Sequence, residues 1–445
     1  MTPGDEKTIL LSTREFLANR IHTVETPAGV SRSIGHLLVG RWIVGSRTAD
    51  EPPTETQEAA FKVARSIGHG ALGEVFEVRF NTCPQLAFAL KVPLLPIENT
   101  AAAIRHEVDK LNRLSHPHLP RLYLTGELEL LGQSVPYYVT DLLRPLAEEL
   151  PDFEKRRPVP AILVARLFYA LAHALSYLSE QSVVHNDVKP DNIMFLAGCP
   201  YLTDFGTARS SGEINEVEEN RLAGRLFGTP RWLPPEIVDV VKGSNGAKVV
   251  LHPDRISQKT DVYGLGLVAL RLLSGRDLFE GAISGDLGEV FFYFHELLRN
   301  QDLLGRYQRQ VAQILERTYL GTDPIADSRL RDSDVQRLYQ RFDTPSSAYL
   351  RPSKWGENPA AASPAARPAR FAGIHAKKTF LDDLLRLAGA CLAPNGERIK
   401  APALVQKMES LWAGIDRPGN PSARRAPTGT AKIESDRIRL HRGSK

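Results

Sequence analysis

The chain has 445 residues, 42% hydrophobic and 24% charged, proportions that exclude a mainly disordered, fibrous or membrane-embedded protein and allow two or three domains' worth of core. Its formal net charge of +4 is unevenly placed, since Arg417–Lys445 carries eight Lys/Arg against two Asp/Glu, +6 in all, leaving −2 for the rest. Three distant cysteines, Cys83, Cys199 and Cys391, form no CxxC and join no histidine cluster, which fits a reducing compartment and argues against a structural zinc.

Residues 1–60 combine short apolar runs such as HLLVGRWIVG with the polar, proline-containing ADEPPTETQE, the composition of a linker. Acids near the start and the lack of a long apolar core do not suit a secretory signal. From Phe61 the pattern alternates, FKVARSIGHGALGEVFEVRF and then LAFALKV, which predicts three antiparallel strands with a glycine-containing turn in the first pair. In ENTAAAIRHEVDKLNRL, Ile104, Val108, Leu111 and Leu114 share one face, so an amphipathic helix is expected to pack on that sheet, with Asn99 or Thr100 as N-cap. Strand-like LYLTGELEL and YYVTDLL follow, then long apolar helices at about 161–180 and 261–274. The most apolar stretch, Ala161–Leu178, is interrupted by Arg166 and His173, so no uninterrupted run has the length of a membrane span. Asp286 to Lys377 reads as helical segments rich in Arg and Gln, closing on the Ala/Pro run ENPAAASPAARPARFAG, which has the composition of a mobile loop or linker. A small β-rich lobe thus precedes a larger helical one.

Three groups of residues carry chemistry. Gly68, Gly70 and Gly73 make a GxGxxG whose bare backbone can approach phosphate oxygens; the spacing alone is weak, because it also opens dinucleotide-binding folds. There a helix follows the glycines, whereas here strand-like residues do, which favours a hairpin lid. Lys91 in FALKV would be an ordinary solvated strand-end lysine in isolation, but the glycines before it and Glu107 on the next helix make it a candidate phosphate clamp held by a carboxylate. The strongest signal is VVHNDVKPDNIMF followed by YLTDFGTA. Phosphoryl transfer needs a carboxylate for the hydroxyl proton, a cation near the γ-phosphate and oxygen ligands for magnesium, and Asp187, Lys189, Asn192 and Asp204 supply that set in order.

On these strings the chain resembles the eukaryotic-type (Hanks-type) protein kinase family, serine/threonine branch, from about Phe61 to Trp412. The resemblance implies an α+β, bilobal fold: a small β-rich N-lobe with one main helix (61–143 with the hinge) and a larger, mainly helical C-lobe (144–412) with an insertion near 280–378. These would be flanked by an extension at 1–60 of open role and a basic tail at 413–445. It implies ATP and Mg²⁺ as cofactors, with Asp187 as catalytic base, Lys189 as γ-phosphate partner, Lys91 and Glu107 as the clamp, and Asn192 with Asp204 as metal ligands. Val75, Ala89 and Met194 would sandwich adenine, Thr140 would be the gatekeeper, and Asp141 to Leu143 the hinge. Leu111, Leu122, Phe205 and His185 resemble the stack that links the lobes, Glu236 the partner of Arg398, and Asp261 the anchor of the catalytic loop. Pro234 stands where the family usually has Ala.

One departure has consequences. The usual His-Arg-Asp is His185-Asn186-Asp187 here, and Asn cannot make the bidentate contact to a loop phosphate that Arg makes. Activation-loop phosphorylation is therefore expected to be dispensable. On this reading Ser210→Ala with Ser211→Ala is expected to be nearly neutral, and Glu213, Glu216, Glu218 or Glu219 are available to pair with Arg221 or Arg225. Lys189 and Thr229 resemble the serine/threonine branch more than the tyrosine branch, and GTPRWLPPE resembles the end of an activation segment, which implies a protein substrate. The rivals are a nucleotide-binding scaffold and a kinase for a small molecule. A regulatory partner is expected at residues 1–60 or at the insertion, a cytoplasmic location is expected, and nucleic-acid contact by the basic tail is a weaker alternative to solvated disorder.

Overall fold

The alternation read from Phe61 onward becomes three strands of an antiparallel sheet. The structure, a computed structural model, describes residues 9–12, 25–26, 29–30, 37–50, 52, 60–69, 73–94, 98–130, 132–210, 229, 232–243, 246–276, 313 and 374–415. Strands β1 (Ile9–Ser12), β2 (Glu25–Thr26) and β3 (Gly29–Val30) come first. The first lobe contains β4 (Trp42–Val44), β5 (Arg47–Ala49), β6 (Phe61–His69), β7 (Gly73–Phe80), β8 (Phe88–Pro93), β9 (Leu122–Leu130) and β10 (Gln133–Asp141). They form one seven-stranded sheet in the order β5-β4-β6-β7-β8-β10-β9. Inward positions of the alternating strands, Phe61, Val63, Phe76, Val78, Leu90, Val92 and Val139, form its core, as a two-residue period requires.

Leu38 and Ile43, both fully buried, belong to the same core, and Ser46 O accepts a hydrogen bond from Glu129 N at 2.9 Å. That bond brings the outer strand β5 to the opposite edge, β9. Part of the N-terminal stretch whose role was open therefore completes the first lobe, shielding an edge that would otherwise be exposed.

Helix α1 (Glu98–Arg113) buries Ile104 and Leu111 and packs Val108 against the core, with Leu114 just beyond its end doing the same, the face read from the sequence. It begins at Glu98, so Asn99 and Thr100 lie in its first turn and not at the N-cap.

The second lobe opens with β11 (Arg144–Pro145), α2 (Leu146–Glu149) and α3 (Pro151–Glu154). The central helix α4 (Ala161–Glu180) follows. By length and composition α4 could cross a membrane, yet it is the core of this lobe, with Val164, Ala165, Phe168, Ala172, Ala174 and Leu178 fully buried. Next come β12 (Val183–Val184), β13 (Ile193–Leu196), β14 (Cys199–Leu202) and β15 (Arg209–Ser210). The hairpin β16 (Val238–Gly243) and β17 (Gly246–Leu251) precedes α5 (Gln258–Ser274), α6 (Ile374–Cys391) and α7 (Ala401–Ile415). Ser257 and Thr260 start α5 with a capping box, each side chain accepting from the other's backbone N–H. Strand β1 pairs antiparallel with β17, Ile9 opposite Leu251. The insertion up to residue 373, apart from Gln313, the loop pairs expected within 211–228 and the tail from 416 lie outside the described residues.

Candidate active site

Between the lobes, β8 and α1 each contribute one charged side chain. Lys91 Nζ lies 2.7 Å from Glu107 Oε2 and 3.3 Å from Asp204 Oδ1. Burial works against the Lys91 charge, but the Asp204 and Glu107 carboxylates outweigh it and hold its pKa well above the ordinary lysine value. The same lysine holds Asp204 below the usual carboxylate range. Glu107 is nearly inaccessible, and its second oxygen accepts from the Phe205 N–H at 3.2 Å. Tyr138, opposite Lys91 in the β8–β10 ladder, sets its ring 6.0 Å from Lys91 Nζ, and its hydroxyl favours the charged form of Glu107.

The loop after β12 is fixed from below. Asp261, in the first turn of α5, accepts the backbone N–H groups of His185 at 2.8 Å and Asn186 at 2.7 Å, one on each oxygen. Burial pushes its carboxyl up to about 7 against the pull of those two donors. Gly264, one turn further along α5, lies so close to this loop that a Cβ there would sit 2.7 Å from Val188 O. Asn186 is buried with φ of 67°, a left-handed conformation that Asn adopts more readily than most residues.

Asp187 is then surrounded by donors. Thr229 N donates to its Oδ1 at 2.8 Å, Asn192 Nδ2 to its Oδ2 at 3.0 Å, and Lys189 Nζ lies 2.7 Å from Oδ2. Lys189 also donates to Thr229 Oγ1 at 2.7 Å. Asp204 likewise takes a left-handed backbone, φ 67°, and the next residue, Phe205, sets its ring edge against His185 at 4.8 Å.

The residues present fit a magnesium nucleotide. Asn192 commits its amide N–H groups to Asp187, leaving an amide oxygen that with the Asp204 carboxylate makes the hard-oxygen set magnesium takes. Thr140 Oγ1 is buried with no hydrogen-bond partner among the described residues, as suits a gatekeeper awaiting a polar ligand edge. Backbone at Gly68 is open, with nothing within 4 Å of a Cβ built there, whereas a Cβ on Gly73 would lie 2.7 Å from Val92 O and 3.2 Å from Lys91 Cε. Gly73 is thus demanded by strand packing over the lysine stem. Gly70 lies outside the described residues.

A family model described as the protein kinase domain matches residues 61–303, more than half of the chain. This chain belongs to the protein kinase domain family. Among its relatives are proteins named "Probable serine/threonine-protein kinase" from Corynebacterium efficiens, 29% identical over 225 residues, and "Probable serine/threonine-protein kinase PknB" from Corynebacterium glutamicum, 29% over 220. A third is "Serine/threonine-protein kinase pkn3" from Myxococcus xanthus, 27% identical over 241 residues. The matches cover 50%, 48% and 52% of this chain and 32%, 31% and 40% of those proteins, so the chain spans about a third of the length of the curated relatives it matches.

In this protein kinase domain the expected clamp and loop residues fall into two bonded groups, Lys91 with Glu107 and Asp204, and Asp187 with Lys189 and Asn192. Ala89 sits opposite Thr140 in the ladder, Val75 and Leu143 lie on β7 and just past β10, and Met194 is on β13. Asp141 turns its carboxylate to β9, accepting from Arg121 N and Tyr123 Oη, both at 2.8 Å. Glu236 and Arg398 pair as expected, at 2.6 and 3.1 Å. Sequence reasoning passed over Tyr138, although a two-residue period puts it on the face of Thr140. It also passed over His106 and Lys110 of α1, for which the sequence carries no signal.

Proposed function

We propose that the chain is a kinase that transfers the γ-phosphoryl group of Mg-ATP to Ser or Thr hydroxyls of protein substrates. The observation that carries this reading is the continuous linkage of Lys91 to Glu107 and Asp204, with Asp187 poised beside Lys189 and Asn192. In this reading Asp187 accepts the proton of the attacking hydroxyl, Lys91 holds phosphate charge, and Lys189 counters charge at the transferred group. Magnesium, held by Asn192 and Asp204, would neutralise phosphate charge. A pure scaffold would have no need to keep all these groups in register, the Thr229–Lys189 contact supports Ser or Thr over Tyr as acceptor, and the segment GTPRWLPPE supports a protein substrate over a metabolite.

Phosphate on the activation loop is not required in this reading, since Asn186 presents no cation for it to neutralise. Control then falls to a partner at residues 1–60 or the insertion, and the cysteine pattern supports a cytoplasmic location. Incubation with labelled ATP and magnesium should label Ser and Thr of the chain or of added protein, and chelation should abolish labelling. Asp187→Ala and Asp204→Ala, checked for folding, should each lose at least ~10²-fold. A folded wild-type protein that labels nothing, or a folded variant as active as wild type, would overturn the reading.

A further inference from the structure

Helix α1 carries Glu107, so whatever holds α1 against the rest of the molecule decides whether Lys91 has its carboxylate. Two side chains on either side of Glu107 reach across to the segment that follows Phe205. His106 Nε2 lies 2.8 Å from Ala208 O, and because a carbonyl only accepts, that nitrogen carries the proton. Lys110, one turn further on and almost fully buried, donates from Nζ to Ser210 Oγ at 2.9 Å. The segment they grip is not loose. Arg209–Ser210 is strand β15, paired with Val183–Val184 of β12, Val183 opposite Ser210, and β12 runs directly into His185, Asn186 and Asp187.

We propose that His106 and Lys110 form an α1 latch in which the unmodified Ser210 hydroxyl is the keeper, and that Lys110 and Ser210 are positioning residues for phosphoryl transfer. The latch rests on the kinase reading above and adds to it a reason why Asn186 is tolerated. Where an arginine at position 186 would link the catalytic loop outward through a phosphate, this chain links the loop to α1 through the β12–β15 ladder and one neutral hydroxyl. The bond joins a buried cation to a hydroxyl in a low-dielectric seam, where a charge-assisted hydrogen bond is stronger than in water. The latch thus predicts a cost at Ser210, where the loop-phosphate argument alone predicts a nearly neutral change; Ser211 lies outside the described residues.

The test uses the full chain. Ser210→Ala and Lys110→Met should each lower kcat about tenfold, equivalent to about 1.4 kcal/mol, with little change in KM for ATP. The double variant should be no worse than the poorer single one, because both remove one bond. Ser210→Thr, which keeps the hydroxyl, should restore most of the rate. Hydrogen exchange of the free protein should show faster exchange across residues 98–113 in Ser210→Ala than in wild type, and wild-type protection in Ser210→Thr. If Lys110→Met fails to fold, the serine pair alone decides. Ser210→Ala with wild-type kcat and wild-type α1 protection would overturn the latch. A wild-type protein that transfers no phosphate would instead overturn the kinase reading, while the exchange measurement would still judge the latch.

Discussion

The Lys91–Glu107 pair lies where solvent scarcely reaches, with side-chain exposures of 16% and 3%, and there the cost of desolvating two charges is repaid only if every remaining polar atom is satisfied. Glu107 meets that condition with a donor on each oxygen: Lys91 on one and the Phe205 N–H on the other. Tyr138 sets its ring 6.0 Å from Lys91 Nζ and its hydroxyl favours the charged form of Glu107, so one side chain acts on both halves of the pair. Tyr138→Phe keeps the ring and deletes only the hydroxyl that favours the Glu107 charge. Urea unfolding should show a loss of about 1–2 kcal/mol, and kcat should fall several-fold as Glu107 gains freedom. Unchanged stability and rate would mean that Glu107 does not depend on the hydroxyl.

The loop between α1 and β9 is the element that joins the lobes behind the site. His116 stacks on Tyr177 of α4 at 5.2 Å, the Tyr177 hydroxyl accepts from Ser115 N at 2.9 Å, and His118 Nδ1 donates to Pro200 O at 2.9 Å. His118 N also donates to His116 Nδ1 at 3.2 Å, which requires that nitrogen to be unprotonated. Burial, then the neighbouring His118 and His173, push His116 down to about 4. Burial also lowers His118 and His173, the latter against the opposing pull of Glu409. All three thus titrate below their unfolded value of about 6.5, so the unfolded chain binds more protons once pH falls below it. Their contribution to stability is complete above pH ~6.5 and is lost as pH falls, for His116 towards about 4. His116→Asn keeps an acceptor for His118 N and removes the titration. Its urea midpoint should be lower than wild type at pH 7.5 but should drop less between pH 7.5 and 5. An equal drop would place the acid sensitivity elsewhere.

At the scale of the whole molecule, the first lobe begins before the family match does. The protein kinase domain model starts at residue 61, yet Leu38 and Ile43 are fully buried in the sheet core and Ser46 closes β5 onto β9. Leaving them out would open a cavity under Phe61 and bare an edge of β6. Ile43→Ala should cost about 2–5 kcal/mol, and a chain starting at residue 60 should melt well below one starting at residue 37. Calorimetry of the two lengths checks this; equal melting temperatures would show β4 and β5 to be an ornament on a self-sufficient lobe.

The sequence alone determined whatever is encoded within a short window. The period of the strands from Phe61, the apolar face of α1 and the short strings around Lys91, Asp187 and Asp204 each depend on neighbours a few residues apart, and all recur in the fold. The Glu236–Arg398 pair was legible only through resemblance, since 162 residues separate its members. What tertiary structure decided are contacts with no local signature: Leu38 and Ile43 under the sheet, Tyr138 on Glu107, and Lys110 on Ser210 across 100 residues. Each depends on strand register and on how α1 is rotated against the second lobe, and a polar side chain has the same sequence appearance whether it faces water or a buried partner. Burial supplies the difference, because only there does an unmade hydrogen bond cost enough to dictate which residue must be its partner.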